Sequence, residues 1–403
     1  MRNKSRWLFL AVGTIMLLFL GLLYAWSIFR APLGRVFPSW TASQLSFAFT
    51  ISMIFFCLGG FAAGRVVKVI SSCKTAALSA VILFIGFLGV SRMNANDAES
   101  ALKTLYFFYG ALCGGGVGMG YNVVIGSVTK WFPENPGMAS GTLMMGFGIG
   151  GLLLGSVVNG MIERSDIFTT FFYLAVMVAV VIAVGSPFLK PAPTATQNAS
   201  ASKNTPADYK PSEMLKTPAF WLFFLFAVTT SSSGLLVINS AADIAGAYGS
   251  PPILGLIVSV FNGGGRLLFG AIYDKAGRKK TMFINTSCMF LAGLSLLAAV
   301  FLNSAPLIFI GLILAGVNYG GCPPITSAVI FKFFGSSNYA ANFSIANFLV
   351  IPAAFIGPMI SSALLERSGG DYGSTFAMIL IFSVIAYLLA FAMNKFCSEF
   401  EEK

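Results

Sequence analysis

Apolar residues fall along this chain in long blocks rather than at a short fixed period. Runs of roughly 20 apolar residues recur, and short stretches rich in Lys, Arg, Asp and Glu separate them. A period of 3.6 marks a helix with one wet face, whereas an unbroken run of this length suits a helix crossing about 30 Å of hydrocarbon. The blocks predict twelve helices, at 7–29, 41–67, 75–93, 101–129, 137–161, 168–190, 219–241, 251–273, 279–303, 305–331, 338–364 and 373–395. Between the sixth and seventh, 191–217 is rich in Ala, Thr, Ser, Asn, Pro and Lys, a composition that cannot bury a core and reads as a flexible linker. The expected fold is therefore an all-α membrane protein in two pseudo-symmetric six-helix bundles, 1–190 and 218–403, joined by that linker. A partial internal repeat agrees: Lys130-Trp131-Phe132-Pro133 follows the fourth run and Lys332-Phe333-Phe334-Gly335 the tenth.

Composition sharpens this picture. Of 403 residues, 57% are hydrophobic and 10% charged, against about 25% charged in a soluble chain; mean hydropathy is +0.83. The net charge of +11 would suit nucleic acid if it were clustered on one surface, but it is not. Eighteen basic residues fall in the alternate segments that share a side with the N-terminus, and six in the others. That bias places both termini in the cytoplasm, with the basic loops facing anionic headgroups of an inner (plasma) membrane that the chain crosses many times. The lipid bilayer is thus an expected partner and nucleic acid is not. The basic start Arg2-Asn3-Lys4-Ser5-Arg6 leads into a run too long for a secretory leader, so it reads as the first span. There is no histidine and the six cysteines are scattered, so neither a metal nor another cofactor is expected. No G-x-x-x-x-G-K-[ST] loop is present, and any transport must be secondary.

One position breaks the apolar pattern at its costliest point. Arg266 stands near the middle of the run 251–273, where a cation costs about 2.5–3.5 kcal/mol on insertion scales. Asn262 precedes it by four residues, so the two share a helix face, which Ser259 and Gly263 extend. A guanidinium cannot lose its proton and grips a carboxylate in a two-pronged fashion, so this face is the expected anion site. An arginine reaching to the interface would be the alternative, stretched over about 12 Å at 1.5 Å per residue to Asp274. Asn262 can donate to a carboxylate or, equally, bond another helix.

Further motifs carry a resemblance. Gly270-Ala271-Ile272-Tyr273-Asp274-Lys275-Ala276-Gly277-Arg278-Lys279-Lys280 resembles the G-x-x-x-D-x-x-G-R-[KR] loop of the major facilitator superfamily, which latches helices in one access state; Asp274, Gly277 and Arg278 are then its gating residues. The counterpart Gly60-Phe61-Ala62-Ala63-Gly64-Arg65 lacks the acid. Gly21-Leu22-Leu23-Tyr24-Ala25-Trp26-Ser27-Ile28-Phe29, with Pro32-Leu33, the Lys130-Trp131-Phe132-Pro133 stretch and Asn262-x-x-x-Arg266 are similar to the oxalate/formate antiporter family, which is related to the monocarboxylate transporters. The resemblance implies the six-plus-six fold, Arg266 as the substrate-binding arginine, and a cavity lined by the first, fourth and tenth spans. Tyr24, Tyr121 and Tyr319 lie on those spans, and Asn347 on the eleventh is a further candidate. Oxalate carriers of the family place a lysine on the eleventh span, near Val350, and none occurs there. One cation balances one carboxylate, so the expectation is a secondary carrier of lactate- or formate-like anions. The acids all read as lying in loops, helix ends or tails, which leaves proton symport, with the proton on the substrate or a water, and exchange for a counter-anion; the missing lysine favours symport. An oxalate or dicarboxylate exchanger is the alternative, and a transporter-like sensor is a third. An enzyme is not expected, because no Ser/His pair, H-E-x-x-H or buried acid pair occurs.

Overall fold

The computed structural model describes residues 2–132, 136–190, 209–335 and 338–401, and among them every regular element is helical. Fifteen α-helices are described: α1 Arg2–Leu20, α2 Trp26–Val36, α3 Ala42–Ile70, α4 Ser72–Ser91, α5 Ala98–Leu105, α6 Gly114–Val128, α7 Pro136–Arg164, α8 Ile167–Gly185, α9 Pro211–Met214, α10 Pro218–Ala247, α11 Ile257–Leu302, α12 Ala305–Phe334, α13 Tyr339–Ala346, α14 Val350–Arg367 and α15 Gly373–Glu401. They give eleven uninterrupted segments long and apolar enough to span a bilayer. The expected eighth and ninth spans form one of these, because α11 runs on through the loop between them. Gly277 divides it, with φ 70° and ψ 176°, a conformation a side chain would strain. Counting its arms 257–276 and 278–302 separately restores the twelve crossings.

Irregular turns are built into two spans. A 3₁₀ segment, Gly21–Ala25, joins α1 to α2. A Cβ at Gly21 would collide with the Phe147 carbonyl, and one at Gly150 with the Leu18 carbonyl, so this span and α7 meet backbone to backbone. A π-helical stretch, Tyr106–Cys113, joins α5 to α6. Beyond it, Gly114 and Gly118 lie against the carbonyls of Ser52 and Phe56 on α3. Small residues four apart make the close α3–α6 crossing possible, and it fixes the height at which Tyr121 is presented.

The helices before residue 190 pack chiefly on one another, as α3 on α6, α4 on α8 and α1 on α7. Those after 209 do likewise, as α11 on α12, α10 on α14 and α11 on α15. The two sets meet along a seam where α7 lies on α11, α3 on α14 and α2 on α10. At the α7–α11 crossing a Cβ on Gly148 would sit 2.7 Å from the Gly263 Cα.

Three expectations need correction. The first span continues to Val36 with Pro32 inside it, and the seventh to Ala247. Arg30 and Asp243, both expected outside the apolar blocks, are therefore helical, and they form an ion pair at 3.2 Å. A hydropathy boundary drawn at each charge stops too early, because the two charges neutralise each other and let both helices run on. The linker is also shorter than 191–217. Its portion 191–208 lies outside the described residues, but Tyr209 is tied down, its amide donating to the Phe334 carbonyl and its carbonyl accepting from Asn342 Nδ2. Met214 of α9 is then buried against a cluster containing Phe220, Ile330 and Phe334.

Candidate functional site

Arg266 lies on the first arm of α11, 3% exposed, facing the seam. Gly263 and Gly265 keep its surroundings narrow: a Cβ at Gly265 would meet the Val317 carbonyl of α12 at 2.5 Å. The chain can therefore bring α7, α11 and α12 close enough for side chains from both sets of helices to reach one guanidinium.

That guanidinium touches neutral groups only, among the described residues. Its Nε donates to Asn262 Oδ1 at 3.4 Å, Nη1 to the Tyr121 hydroxyl at 3.4 Å and Nη2 to the Tyr24 hydroxyl at 3.5 Å. Tyr24 and Tyr319 share a hydroxyl–hydroxyl bond of 3.2 Å. The Phe147 ring lies 5.7 Å from Arg266 Cζ, within reach of a cation–π contact. Tyr24 and Tyr121 both pack on Phe147, with ring centroids 5.0 and 4.9 Å away. All the hydrogen bonds to Arg266 are at the long end of the range, against about 2.7–2.9 Å for a guanidinium on a carboxylate. No described carboxylate lies within ion-pair distance of Arg266.

Donors are left over. Asn262 is fully buried, and its Nδ2 has no hydrogen-bond partner among the described residues; neither does Ser259 Oγ on the same face. The Tyr121 oxygen accepts from the guanidinium, which leaves its own O–H free to donate. Arg266, Asn262 Nδ2 and the Tyr121 hydroxyl are thus neighbouring donors with no charged acceptor among the described residues.

Of the six substrate-site candidates read from the sequence, the structure gathers five: Arg266, Asn262, Tyr24, Tyr121 and Tyr319. Asn347 is not joined to them. It lies in a 3₁₀ turn between α13 and α14, and its main-chain carbonyl accepts from Cys57 Sγ at 3.4 Å. The loop residues stand elsewhere, at the α11 break. Asp274 is exposed and forms no ion pair among the described residues. Arg278 is buried with its guanidinium 5.1 Å from the Phe333 ring, and Lys332 reaches the Tyr273 ring at 5.0 Å. This loop therefore holds α12 through cation–π contacts. Sequence reading missed Phe147 altogether. Its one signal was the setting Gly146-Phe147-Gly148, a lone large ring among glycines that allow close crossings.

Comparison with known proteins gives the same architecture. The family model described as Major Facilitator Superfamily matches residues 7–350 and 228–395. An uncharacterised MFS-type transporter, YhjX of Escherichia coli, is 27% identical over 352 residues, covering 85% of this chain and 84% of its own. The oxalate:formate antiporter of Oxalobacter formigenes is 25% identical over 395 residues, with 96% and 91% covered. Mouse monocarboxylate transporter 10 is 23% identical, with 79% and 64% covered. Among solved structures, a D-xylose–proton symporter superimposes with a TM-score of 0.74 at 17% identity, covering 97% of each chain, which is a likeness of fold.

Proposed function

This chain belongs to the Major Facilitator Superfamily, and from that we propose that it carries small monocarboxylates across the membrane by alternating access, with Arg266 as the anion-binding residue. One observation carries the reading: a buried guanidinium that meets only neutral, loosely placed partners, with unused donors beside it. A carboxylate supplies the missing charge and replaces long hydrogen bonds with short charge-assisted ones. Tyr24, Tyr121, Tyr319 and Asn262 then orient the anion, and the Phe147 ring limits its size. The bundles 1–190 and 218–403 rock about the seam, and the Gly148–Gly263 crossing is where their backbones stay close. Both termini are cytoplasmic in an inner (plasma) membrane, as the distribution of Lys and Arg favours.

The charge count favours one carboxylate. Residues 338–367 carry only Glu366 and Arg367 as charged side chains, both at the end of α14. The likeness to an oxalate:formate antiporter supports a second reading, exchange of a dicarboxylate. Counterflow in proteoliposomes with labelled lactate, formate and oxalate, with and without a pH gradient, separates the two. Lactate or formate outcompeting oxalate, with stimulation by an inward proton gradient, is the expected result. Preference for oxalate together with an absolute need for an internal anion would overturn the monocarboxylate reading.

A further inference from the structure

A second charged cluster lies away from Arg266, toward the end of the molecule where α2, α10 and α14 finish and α3 begins. Arg30 Nη1 sits 3.2 Å from Asp243 Oδ2, donates to Ser240 Oγ at 2.8 Å and reaches the Asn239 carbonyl at 3.3 Å. Asn239 Nδ2 donates onward to Ser46 Oγ at 3.0 Å, and Ser46 bonds Ser362 across the seam. Thr50 Oγ1 donates to the Ala354 carbonyl at 2.9 Å. Each of these cross-links runs from α2 or α3 to α10 or α14, so every one must break if the two sets of helices part at this end.

We propose that Asp243 is a proton-binding site, and that its ion pair with Arg30 latches this end of the molecule shut until the carboxylate is protonated. The proposal rests on the alternating-access reading above. Its geometry is asymmetric in the way such a site requires. The Arg30 side chain is 5% exposed while that of Asp243 is 26% exposed, so the acid is the more accessible member of the pair. A proton arriving from water adds to Asp243 Oδ2 and forms an O–H bond; the guanidinium keeps its charge, and the pair goes from net neutral to net positive. Arg30 is then a cation held among neutral groups and largely cut off from solvent, its Nε already without a described partner. Removing one member of a buried pair strongly destabilises the arrangement that buried it, and opening relieves this by hydrating Arg30. The newly bared cation also draws an anion toward the opening.

The surrounding ionisable groups leave Arg30 as the dominant partner. Tyr372, just before α15, interacts with both Arg30 and Asp243 and with Tyr248 at the end of α10. On α14 the charged side chains are Glu366 and Arg367, and Glu366 accepts from the Ser43 amide. The 3₁₀ turn Pro252–Leu256 carries no ionisable side chain. The latch therefore holds while Asp243 is ionised and weakens as the pH on its own side of the membrane falls.

Labelling tests this without any transported substrate. Cells expressing the full chain with Ser362→Cys are treated with a membrane-impermeant maleimide at external pH 7.5 and 5.5, and labelling of the chain without that cysteine is subtracted. Adding Asp243→Asn should raise labelling several-fold at pH 7.5, and the two proteins should converge at pH 5.5. Arg30→Gln, made in parallel in case the first variant fails to fold, should give the same result, whereas Asp243→Glu should keep the pH response. Equal labelling of Asp243→Asn, or of Arg30→Gln, and the parent at pH 7.5 overturns the latch. Arg266→Ala on the same background keeps the pH-dependent labelling if the latch is right, even where transport is lost, so the two readings fail separately.

Discussion

At Arg266 the decisive quantity is what does not neutralise it. A cation 3% exposed in a bilayer is tolerated when protein or ligand supplies compensation. Here tyrosine and asparagine oxygens do so weakly, at 3.4–3.5 Å. The Tyr121 hydroxyl has a particular place among them, since it accepts from Arg266 and keeps a proton to give. Tyr121→Phe removes that donor and leaves the ring on Phe147. A neutral hydrogen bond is worth about 1 kcal/mol, so KM should rise about fivefold with little change in maximal rate, as measured by initial-rate uptake. An unchanged KM would remove Tyr121 from the site. This scale was well marked in the sequence: an arginine inside an apolar run announces itself, and Asn262 follows from helical spacing alone. That Tyr24, Tyr121 and Tyr319 meet there came from resemblance rather than periodicity. Phe147 was hidden because a phenylalanine in an apolar block looks like any other.

Among the helices, local backbone departures do the positioning. The 3₁₀ turn at Gly21–Ala25 presents Tyr24, and the glycines of α6 seat Tyr121 against α3. Gly277 turns the end of one arm of α11 into the start of the next at φ 70°. A side chain there costs about 1–3 kcal/mol, so Gly277→Ala should lower the thermal midpoint of the detergent-solubilised protein, read by fluorescence-detected size exclusion. Gly264→Ala, where a Cβ meets nothing within 4 Å, should leave it nearly unchanged. The spans themselves were legible to within a few residues, because hydrocarbon thickness fixes their length. Their ends were not legible where charges pair. Arg30 and Asp243 each look like the border of an apolar block, and only their meeting at 3.2 Å explains why both helices continue past them. The docking of Tyr209 and Met214 was equally hidden, since a polar stretch gives no hint of which apolar cluster will receive its last few residues.

For the whole molecule, the polar cross-links Ser46–Ser362, Thr50–Ala354 and Arg30–Asp243 tie the two sets of helices together at one end of the seam. Charge pairing and hydroxyl contacts close that end, while glycine crossings hold the middle, so the two can part and rejoin without disturbing the apolar packing inside each bundle. All of this serves a cycle only if Arg266 holds the travelling anion. Counterflow of labelled lactate in proteoliposomes, at matched protein incorporation, measures that directly for Arg266→Ala and Arg266→Lys. Loss of a buried charge-assisted pair of about 3 kcal/mol is roughly a hundredfold in affinity. Arg266→Ala should therefore give no counterflow above protein-free vesicles, and Arg266→Lys, a point charge without the planar fork, at most a small residue. Counterflow by Arg266→Ala at the rate of the unaltered protein would contradict the account.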